Sequence, residues 1–271
     1  MSPVVLRAER CQVLVCFMVA LLTGCSGLGR STAIQGKVVD LGACNPTPCV
    51  KINLGGTPQI GERISDDVET KIQSEVRATL YASIDIDSDS PSPDELMREL
   101  EARYREYSEL SDAPIDWSLT RSAKVLAENP EFVSLEILSE GYLGGAHGFS
   151  DRVLMTFDAK TGTRLSVSDI ISDSSRGVLV RVLEAEFRRA RKVRQDQSLQ
   201  DAGFFILPGQ EMPISDNFAI TPDGLQVQYN PYEIAPYSMG ATRIVVPWEA
   251  FNPLLKSERW SMAKAEPTQA S

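Results

Sequence analysis

The spacing of apolar residues changes along the chain, and this change restricts the fold more than any other feature of the sequence. A four-residue spacing over residues 65–82 predicts a helix with one apolar stripe, formed by Val68, Ile72, Val76 and Leu80. The capping box Ser92–Glu95 predicts the start of a second helix, which runs to about residue 109. A third helix is expected from about residue 176 to 194, with Leu179, Val182, Leu183, Glu186, Phe187 and Ala190 facing inward.

Strand patterns fill the intervals between these helices. They predict two short strands in residues 36–60, three strands in 117–158 and three more in 217–246. A short helix is expected at 249–255. The resulting order, ββααβββαβββα, predicts an α+β fold with a largely antiparallel sheet packed with helices.

The N-terminus has the composition of an export signal. Arg7 and Arg10 precede Cys11–Leu22, a run of twelve residues that is apolar except for Gln12. A membrane-spanning helix needs about twenty apolar residues, so this run is too short to cross a bilayer. We therefore expect residues 1–24 to be a signal peptide and residues 25–35 a tether.

Cys25 ends the motif LTGC at residues 22–25, which resembles the lipobox of bacterial lipoproteins. The resemblance implies a lipid thioether on Cys25, cleavage before it, and a protein whose contact with the membrane is a lipid anchor. Ser26, where a retention signal would have Asp, favours the outer membrane, facing the periplasm. An uncleaved anchor and a plain signal peptide with an accidental cysteine are the alternatives.

Cys44 and Cys49 are the cysteines that remain after processing and lipidation. Outside the cytoplasm such a pair is expected to oxidise, so we predict a disulfide on a loop. A redox site is disfavoured, because the spacing is not Cys-x-x-Cys and two prolines stiffen the loop.

The charge balance and the single histidine exclude several functions. The chain has 27 basic and 37 acidic residues and a net charge of −10, which argues against a nucleic-acid-binding surface. His147 is the one histidine, and the sequence has no Gly-x-Ser-x-Gly elbow, phosphate loop or dinucleotide fingerprint. We predict no metal, no cofactor and a role other than catalysis.

Two segments are candidates for ligand binding. His147 lies in Gly144–Gly148 (GGAHG), which is interpreted either as a binding loop or, preferably, as a turn in which the histidine caps a backbone carbonyl. Asn230–Gly240 (NPYEIAPYSMG) is interpreted as a rigid loop over the sheet edge or as a recognition loop. The residues in these segments that we expect to bind a ligand are His147, Asn230, Tyr232, Glu233 and Tyr237.

A cationic stretch lies at the end of the third predicted helix, with five cations among residues 188–194. A solvated face that complements the helix dipole is the favoured interpretation. An anionic partner, such as a lipid head group or a wall polymer, is the alternative.

The second half of the chain resembles the extracellular domain of RsiV-type anti-sigma factors, which also accompanies PdaC-type peptidoglycan deacetylases. The resemblance rests on Gly144–Gly148, Phe157–Asp158, Thr161–Gly162, Ser168–Ile170 and, most specifically, Asn230–Gly240. It assigns residues 141–256 to that domain and 36–140, more loosely, to the region before it, with a flexible tail at 257–271. In RsiV-type proteins the domain binds lysozyme. This chain lacks the sigma-binding segment and the deacetylase domain, so neither signalling nor deacetylation is implied.

Three functions follow as hypotheses. The first is a non-catalytic envelope lipoprotein that binds a wall-active protein such as lysozyme. The second is a module that binds peptidoglycan or another polysaccharide, in which Tyr232, Tyr237 and Trp248 stack on sugars. The third is a carboxylate hydrolase with Glu233 as its acid, for which spacing identifies no second carboxylate.

Overall fold

Two amphipathic helices form where the four-residue apolar spacing and the capping box predict them. Helix α1 (Asp66–Leu80) follows Ser65, and its buried residues are Val68, Ile72, Val76 and Leu80. Helix α2 (Pro93–Leu110) follows Ser92, whose side chain accepts the backbone N–H of Glu95. The computed structural model describes residues 37–39, 49–61, 64–83 and 92–262, and these belong to one compact unit.

The larger sheet in the described part of the chain has five strands, arranged in the order of the sequence. They are β1 (Lys37–Val39), β2 (Val50–Leu54), β3 (Trp117–Glu128), β4 (Phe132–Tyr142) and β5 (Phe149–Asp158). Neighbouring strands are antiparallel except β2 and β3, which are parallel. A parallel pair needs a long crossover connection, and here α1 and α2 lie in that connection.

A smaller antiparallel sheet is built from the C-terminal strands. It contains β6 (Phe218–Thr221), β7 (Gly224–Tyr229) and β8 (Thr242–Pro247), in that order. Three helices accompany it: α3 (Val167–Ile170), α4 (Arg176–Arg191) and α5 (Trp248–Phe251). Short 3-10 turns occur at Asp173–Ser175, Tyr237–Met239, Asn252–Leu254 and Glu258–Trp260.

Strand β4 contributes to two hydrophobic cores, because alternate side chains of a strand point to opposite faces of the sheet. Its residues on one face pack with α1 and α2 in the first core: Val133, Leu135 and Ile137. On the other face Phe132 joins the second core, which contains α4 and the smaller sheet. Ser134 and Glu136 share that second face, and both are buried.

Hydroxyl groups link the two sheets at this face. The backbone N–H of Ile220 in β6 donates to Ser134 Oγ at 3.1 Å. The hydroxyls of Ser134 and Thr156 lie 3.0 Å apart. These bonds satisfy polar groups that the contact between the sheets would otherwise bury without partners.

Two asparagine side chains cover the open edge of β5. Asn217 Oδ1 accepts the backbone N–H of Leu154 at 2.6 Å, and Asn217 Nδ2 donates to the carbonyl of Arg152 at 2.8 Å. Asn230 Oδ1 accepts the N–H of Arg152, and its Nδ2 donates to the same carbonyl, each at 2.9 Å. The carboxamides therefore form hydrogen bonds with backbone N–H and carbonyl groups that an edge strand leaves unpaired.

The fold class is confirmed: helices pack on largely antiparallel sheets in an α+β arrangement. Three details differ from the prediction. The strands form two sheets, and α4 ends at Arg191 because Lys192 adopts a left-handed conformation with φ 55°. Its buried residues are Leu179, Val180, Leu183 and Phe187, whereas Ala190, predicted to face inward, is exposed.

Residues 36–140 and 141–256 were predicted as two halves of the chain, but both contribute strands to one sheet. Strands β4 and β5 are paired along their length, from Phe132 opposite Asp158 to Gly141 opposite Phe149. Residues 257–262 were expected to begin a flexible tail, but Trp260 is 6% exposed and packs in the second core. Arg259 also forms ion pairs with Asp158 and Glu131. Within the described ranges, no helix is both long and apolar enough to cross a bilayer.

Candidate functional site

The loop between β4 and β5 carries His147 against two tyrosines from the 230–240 segment. The imidazole ring is stacked on Tyr237, with ring centroids 3.6 Å apart and planes inclined by 13°. His147 Nδ1 lies 2.8 Å from the carbonyl oxygen of Gly148, and Nε2 lies 3.3 Å from the hydroxyl of Tyr232. The preferred interpretation of a histidine that caps a backbone carbonyl agrees with this geometry. The tyrosines show that the same ring also belongs to a surface cluster.

Tyrosine hydroxyls hold this loop in place. Tyr237 donates to the carbonyl of Gly148 at 2.6 Å, and Tyr142 donates to the carbonyl of Gly145 at 2.7 Å. Because Nδ1 of His147 faces a carbonyl, it carries the proton in the neutral ring, and Nε2 accepts from Tyr232. The imidazole therefore has a defined tautomer.

Gly144 lets the loop pass close to an indole ring. Its φ is +82°, and a Cβ atom there would lie 2.6 Å from Trp117 Nε1. Trp117 packs against Tyr104 and Tyr107, with ring centroids 5.4 and 5.1 Å away. These two tyrosines pack against the first core.

The 230–240 segment is anchored at both ends of its exposed part. Asn230 binds the backbone of β5, and Ile234 and Ala235 are buried in the second core. Between them Tyr232 donates its N–H to the carbonyl of Ala235, has φ +70° and leaves 61% of its surface exposed. The fold thus holds a large aromatic side chain in solvent, in a backbone conformation that non-glycine residues rarely adopt.

Glu233, which follows Tyr232 in the chain, interacts electrostatically with a second carboxylate, Asp151. Desolvation raises the pKa of Glu233, hydrogen bonds from Asn230 lower it, and the negative charge of Asp151 raises it further. Desolvation also raises the pKa of Asp151. Sequence reasoning missed Asp151, since no spacing marks it: its position depends on the binding of Asn230 to the adjacent residue of β5.

The structure thus brings together His147, Tyr232 and Tyr237, and Glu233 follows Tyr232 in the chain. We call these four residues the aromatic site. Asn230 has a different role. Both polar atoms of its carboxamide bind β5 backbone, so it positions the loop. The aromatic site offers flat rings for stacking and one carboxylate for a cation or a hydroxyl group. Among the described residues, no group of three or more His, Cys, Asp or Glu side chains is arranged to hold a metal ion.

Other sequence candidates lie elsewhere. Trp248 is 8% exposed, and its indole N–H donates to the carbonyl of Pro222, so it does not join Tyr232 and Tyr237 as the sugar-binding hypothesis expected. Cys49 is disulfide-bonded. Cys25 and Cys44 lie outside the described residues.

The cationic stretch at the end of α4 is largely neutralised within the chain. Its arginines bind neighbouring carboxylates and backbone carbonyls: Arg188 with Glu184, Arg189 with Glu186, Arg194 with Asp196, and Arg191 with the carbonyls of Met239 and Ala241. These contacts favour the structural interpretation of the stretch over an anionic partner.

Comparison with known proteins finds a family model that matches part of the C-terminal half. Residues 168–249 match the family DUF3298, described as a protein of unknown function. The match includes Tyr232, Glu233 and Tyr237 but not His147. The finer resemblance to RsiV-type and PdaC-type proteins stays a prediction.

Solved structures of DUF3298 proteins share the fold. A crystal structure of a member from Bacteroides fragilis is 22% identical, with a TM-score of 0.57, and the match covers 77% of this chain and 85% of that one. A DUF3298 protein from Pseudomonas aeruginosa is 21% identical, with a TM-score of 0.54 and coverage of 78% and 86%. Comparison with curated proteins gave no match.

Proposed function

We propose that the protein is a non-catalytic lipoprotein of the cell envelope whose aromatic site binds a cationic, wall-active protein such as lysozyme. The observation that carries the proposal is Tyr232, which the fold holds in solvent at 61% exposure despite its positive φ. Exposed tyrosines anchored on a rigid scaffold are frequent in protein-binding surfaces, because they bury much area at low entropic cost.

Charge supports a cationic partner. Glu233 directly follows Tyr232 in the chain and interacts electrostatically with Asp151, and the chain as a whole carries a net charge of −10. Such a surface accelerates the association of a basic protein, and the rate falls as salt screens the attraction. The lipid on Cys25, implied by the LTGC motif, would keep this surface at the membrane.

The test is a binding titration of lysozyme with the purified full chain at low and moderate salt, together with its muramidase activity. We expect saturable binding that Tyr232→Ala weakens by about tenfold or more, as for a central interface residue. Leu110→Ala removes another exposed apolar side chain, on α2, and serves as the control. No saturable binding at low salt, or equal affinity in Tyr232→Ala, would reject the proposal.

The lipid anchor has its own test. Mass spectrometry of the protein isolated from envelopes should give an N-terminal peptide that begins at acylated Cys25. An N-terminal peptide that begins at Met1 would reject the lipoprotein assignment.

The Asp151–Glu233 pair favours a second candidate, the binding or hydrolysis of a wall polysaccharide. Acid–base cleavage of a glycosidic bond uses two carboxyl groups, one kept protonated by a raised pKa and one ionised, and the raised pKa of Glu233 suits the acid. Retention on isolated sacculi without product release would indicate a binding module. Release of sugar fragments that Glu233→Gln abolishes, and that Glu249→Gln on the surface of α5 leaves unchanged, would indicate a hydrolase.

A further inference from the structure

A buried carboxylate in β4 forms ion pairs with three cationic side chains, each from a different strand. Glu136 Oε1 lies 2.9 Å from Lys124 Nζ in β3. Its Oε2 lies 2.7 Å from Arg243 Nη2 in β8 and 3.7 Å from Arg152 Nε in β5. Lys124, Arg152 and Arg243, which we call the cation cluster, therefore bridge the two sheets around one acid.

Positive charge is in excess at this place. The side chain of Glu136 is 4% exposed, whereas those of Lys124, Arg152 and Arg243 are 58%, 30% and 41% exposed. These three cations have no other ion-pair partner among the described residues. One carboxylate against three cations leaves two unneutralised positive charges, in a chain whose net charge is −10.

Arg152 also has unused hydrogen-bond donors. In the described part of the chain its guanidinium forms no hydrogen bond: its buried Nε faces Glu136 Oε2 at 3.7 Å, an ion pair beyond hydrogen-bond distance. Buried donors are nearly always satisfied in folded proteins. A guanidinium presents its N–H groups as a planar fork that matches the two oxygens of a carboxylate or a phosphate.

We propose that the cation cluster is a binding site for an oxyanionic group, either a carboxylate or a phosphate, with Arg152 as its principal donor. Glu136 positions the three cations and leaves their outer faces open to solvent. One cation would suffice to balance the single negative charge of Glu136, so the other two are available for an anion. The proposal is independent of the aromatic site, because Arg152 and Asp151 point to opposite faces of β5.

The probes are inorganic phosphate and succinate, titrated separately into the purified full chain at constant ionic strength and followed by calorimetry. We expect saturable binding of at least one of these anions. The anion that binds more tightly identifies the ligand as a phosphate or a carboxylate. Arg152→Gln should weaken that binding by about tenfold or more, because it removes charge-assisted hydrogen bonds. Arg164→Gln makes the same charge change at an exposed position outside the cluster and should leave binding unchanged.

Lys124→Gln provides a second variant at the most exposed member of the cluster, where substitution leaves the core untouched. It should also weaken binding, and circular dichroism checks that each variant is folded. The proposal is overturned if neither anion binds saturably, or if the folded Arg152→Gln and Lys124→Gln variants bind with the affinity of the unmodified protein.

Discussion

The ring of His147 lies face to face with the ring of Tyr237, with centroids 3.6 Å apart, and Tyr237 also donates its hydroxyl to the carbonyl next to that histidine. A hairpin loop of the larger sheet is thereby joined to a loop that leads into β8 of the smaller sheet. The aromatic site exists because of this junction, so its residues should respond to substitutions as one structural unit.

Tyr232 should show the cost of its backbone conformation. With φ at +70°, glycine is favoured there over alanine by about 1 kcal/mol, because alanine has a Cβ atom and glycine does not. We expect Tyr232→Gly to be more stable than Tyr232→Ala by that amount in urea unfolding, while both lose lysozyme binding. Equal stability of the two variants would show that the positive φ carries no strain.

Gly144 and Gly209 form a matched pair for separating strain from crowding. Their φ values are +82° and +83°, but a Cβ at Gly144 meets Trp117, whereas one at Gly209 has no heavy atom within 4 Å. Gly209→Ala should lower the free energy of unfolding by about 1 kcal/mol, because alanine is disfavoured in a backbone conformation with positive φ. Gly144→Ala should cost clearly more in the same urea titration, and equal losses would contradict the close contact with the indole.

The asparagines at the edge of β5 should contribute strongly to stability. Asn217→Ala removes the hydrogen-bond partner of the Leu154 N–H and one partner of the Arg152 carbonyl. The free energy of unfolding should fall by about 1–3 kcal/mol. Asn217→Asp keeps an acceptor for Leu154 and should lose less than alanine. Size-exclusion chromatography of Asn217→Ala should also reveal association, because an uncovered strand edge pairs with other chains; a monomeric variant of unchanged stability would contradict the assignment.

Glu136 should make stability depend on acid pH. Desolvation opposes its ionisation, but the hydrogen bond from Lys124 and the charges of Lys124, Arg243 and Arg152 hold its pKa below the ordinary value of 4.5. A lowered folded pKa stabilises the protein above the unfolded pKa, and this stability is lost as the pH falls through the folded pKa.

The corresponding measurement is urea unfolding of Glu136→Gln at pH 7, 5, 4 and 3. The variant should be less stable by about 2 kcal/mol at pH 7, since charged hydrogen bonds are lost from a buried group. The difference from the unmodified protein should shrink below about pH 4.5. Glu249→Gln, at an exposed position, should follow the unmodified protein throughout; a constant gap for Glu136→Gln would argue against a lowered pKa.

The local elements could be predicted from the sequence because their signals are local. The spacing of Val68, Ile72, Val76 and Leu80 depends on one helix, and Ser92 bonds a residue three positions later. The parallel pairing of β2 with β3 has no such signal, since it depends on where two helices return the chain. Trp260 stands alone in a polar stretch, so no periodicity indicated that it is buried.

The candidate site was predicted in part for the same reason. Tyr232, Glu233 and Tyr237 stand in one unusual segment, and His147 is the single histidine in a glycine-rich loop. Their contact and the proximity of Asp151 depend on Asn230 binding β5, which is a tertiary event. The cation cluster also escaped prediction, because its members come from β3, β5 and β8 and meet only when the two sheets pack.

The alternation along β4 has a consequence for the accuracy of strand pairing. A slip of one residue would turn Val133, Leu135 and Ile137 toward Thr156, the backbone of Ile220 and the cation cluster. It would also place Ser134 and Glu136 among the aliphatic side chains of α1 and α2. Misalignment would therefore be unfavourable on both faces at once, so the pairing register of β4 is strongly specified by its own sequence.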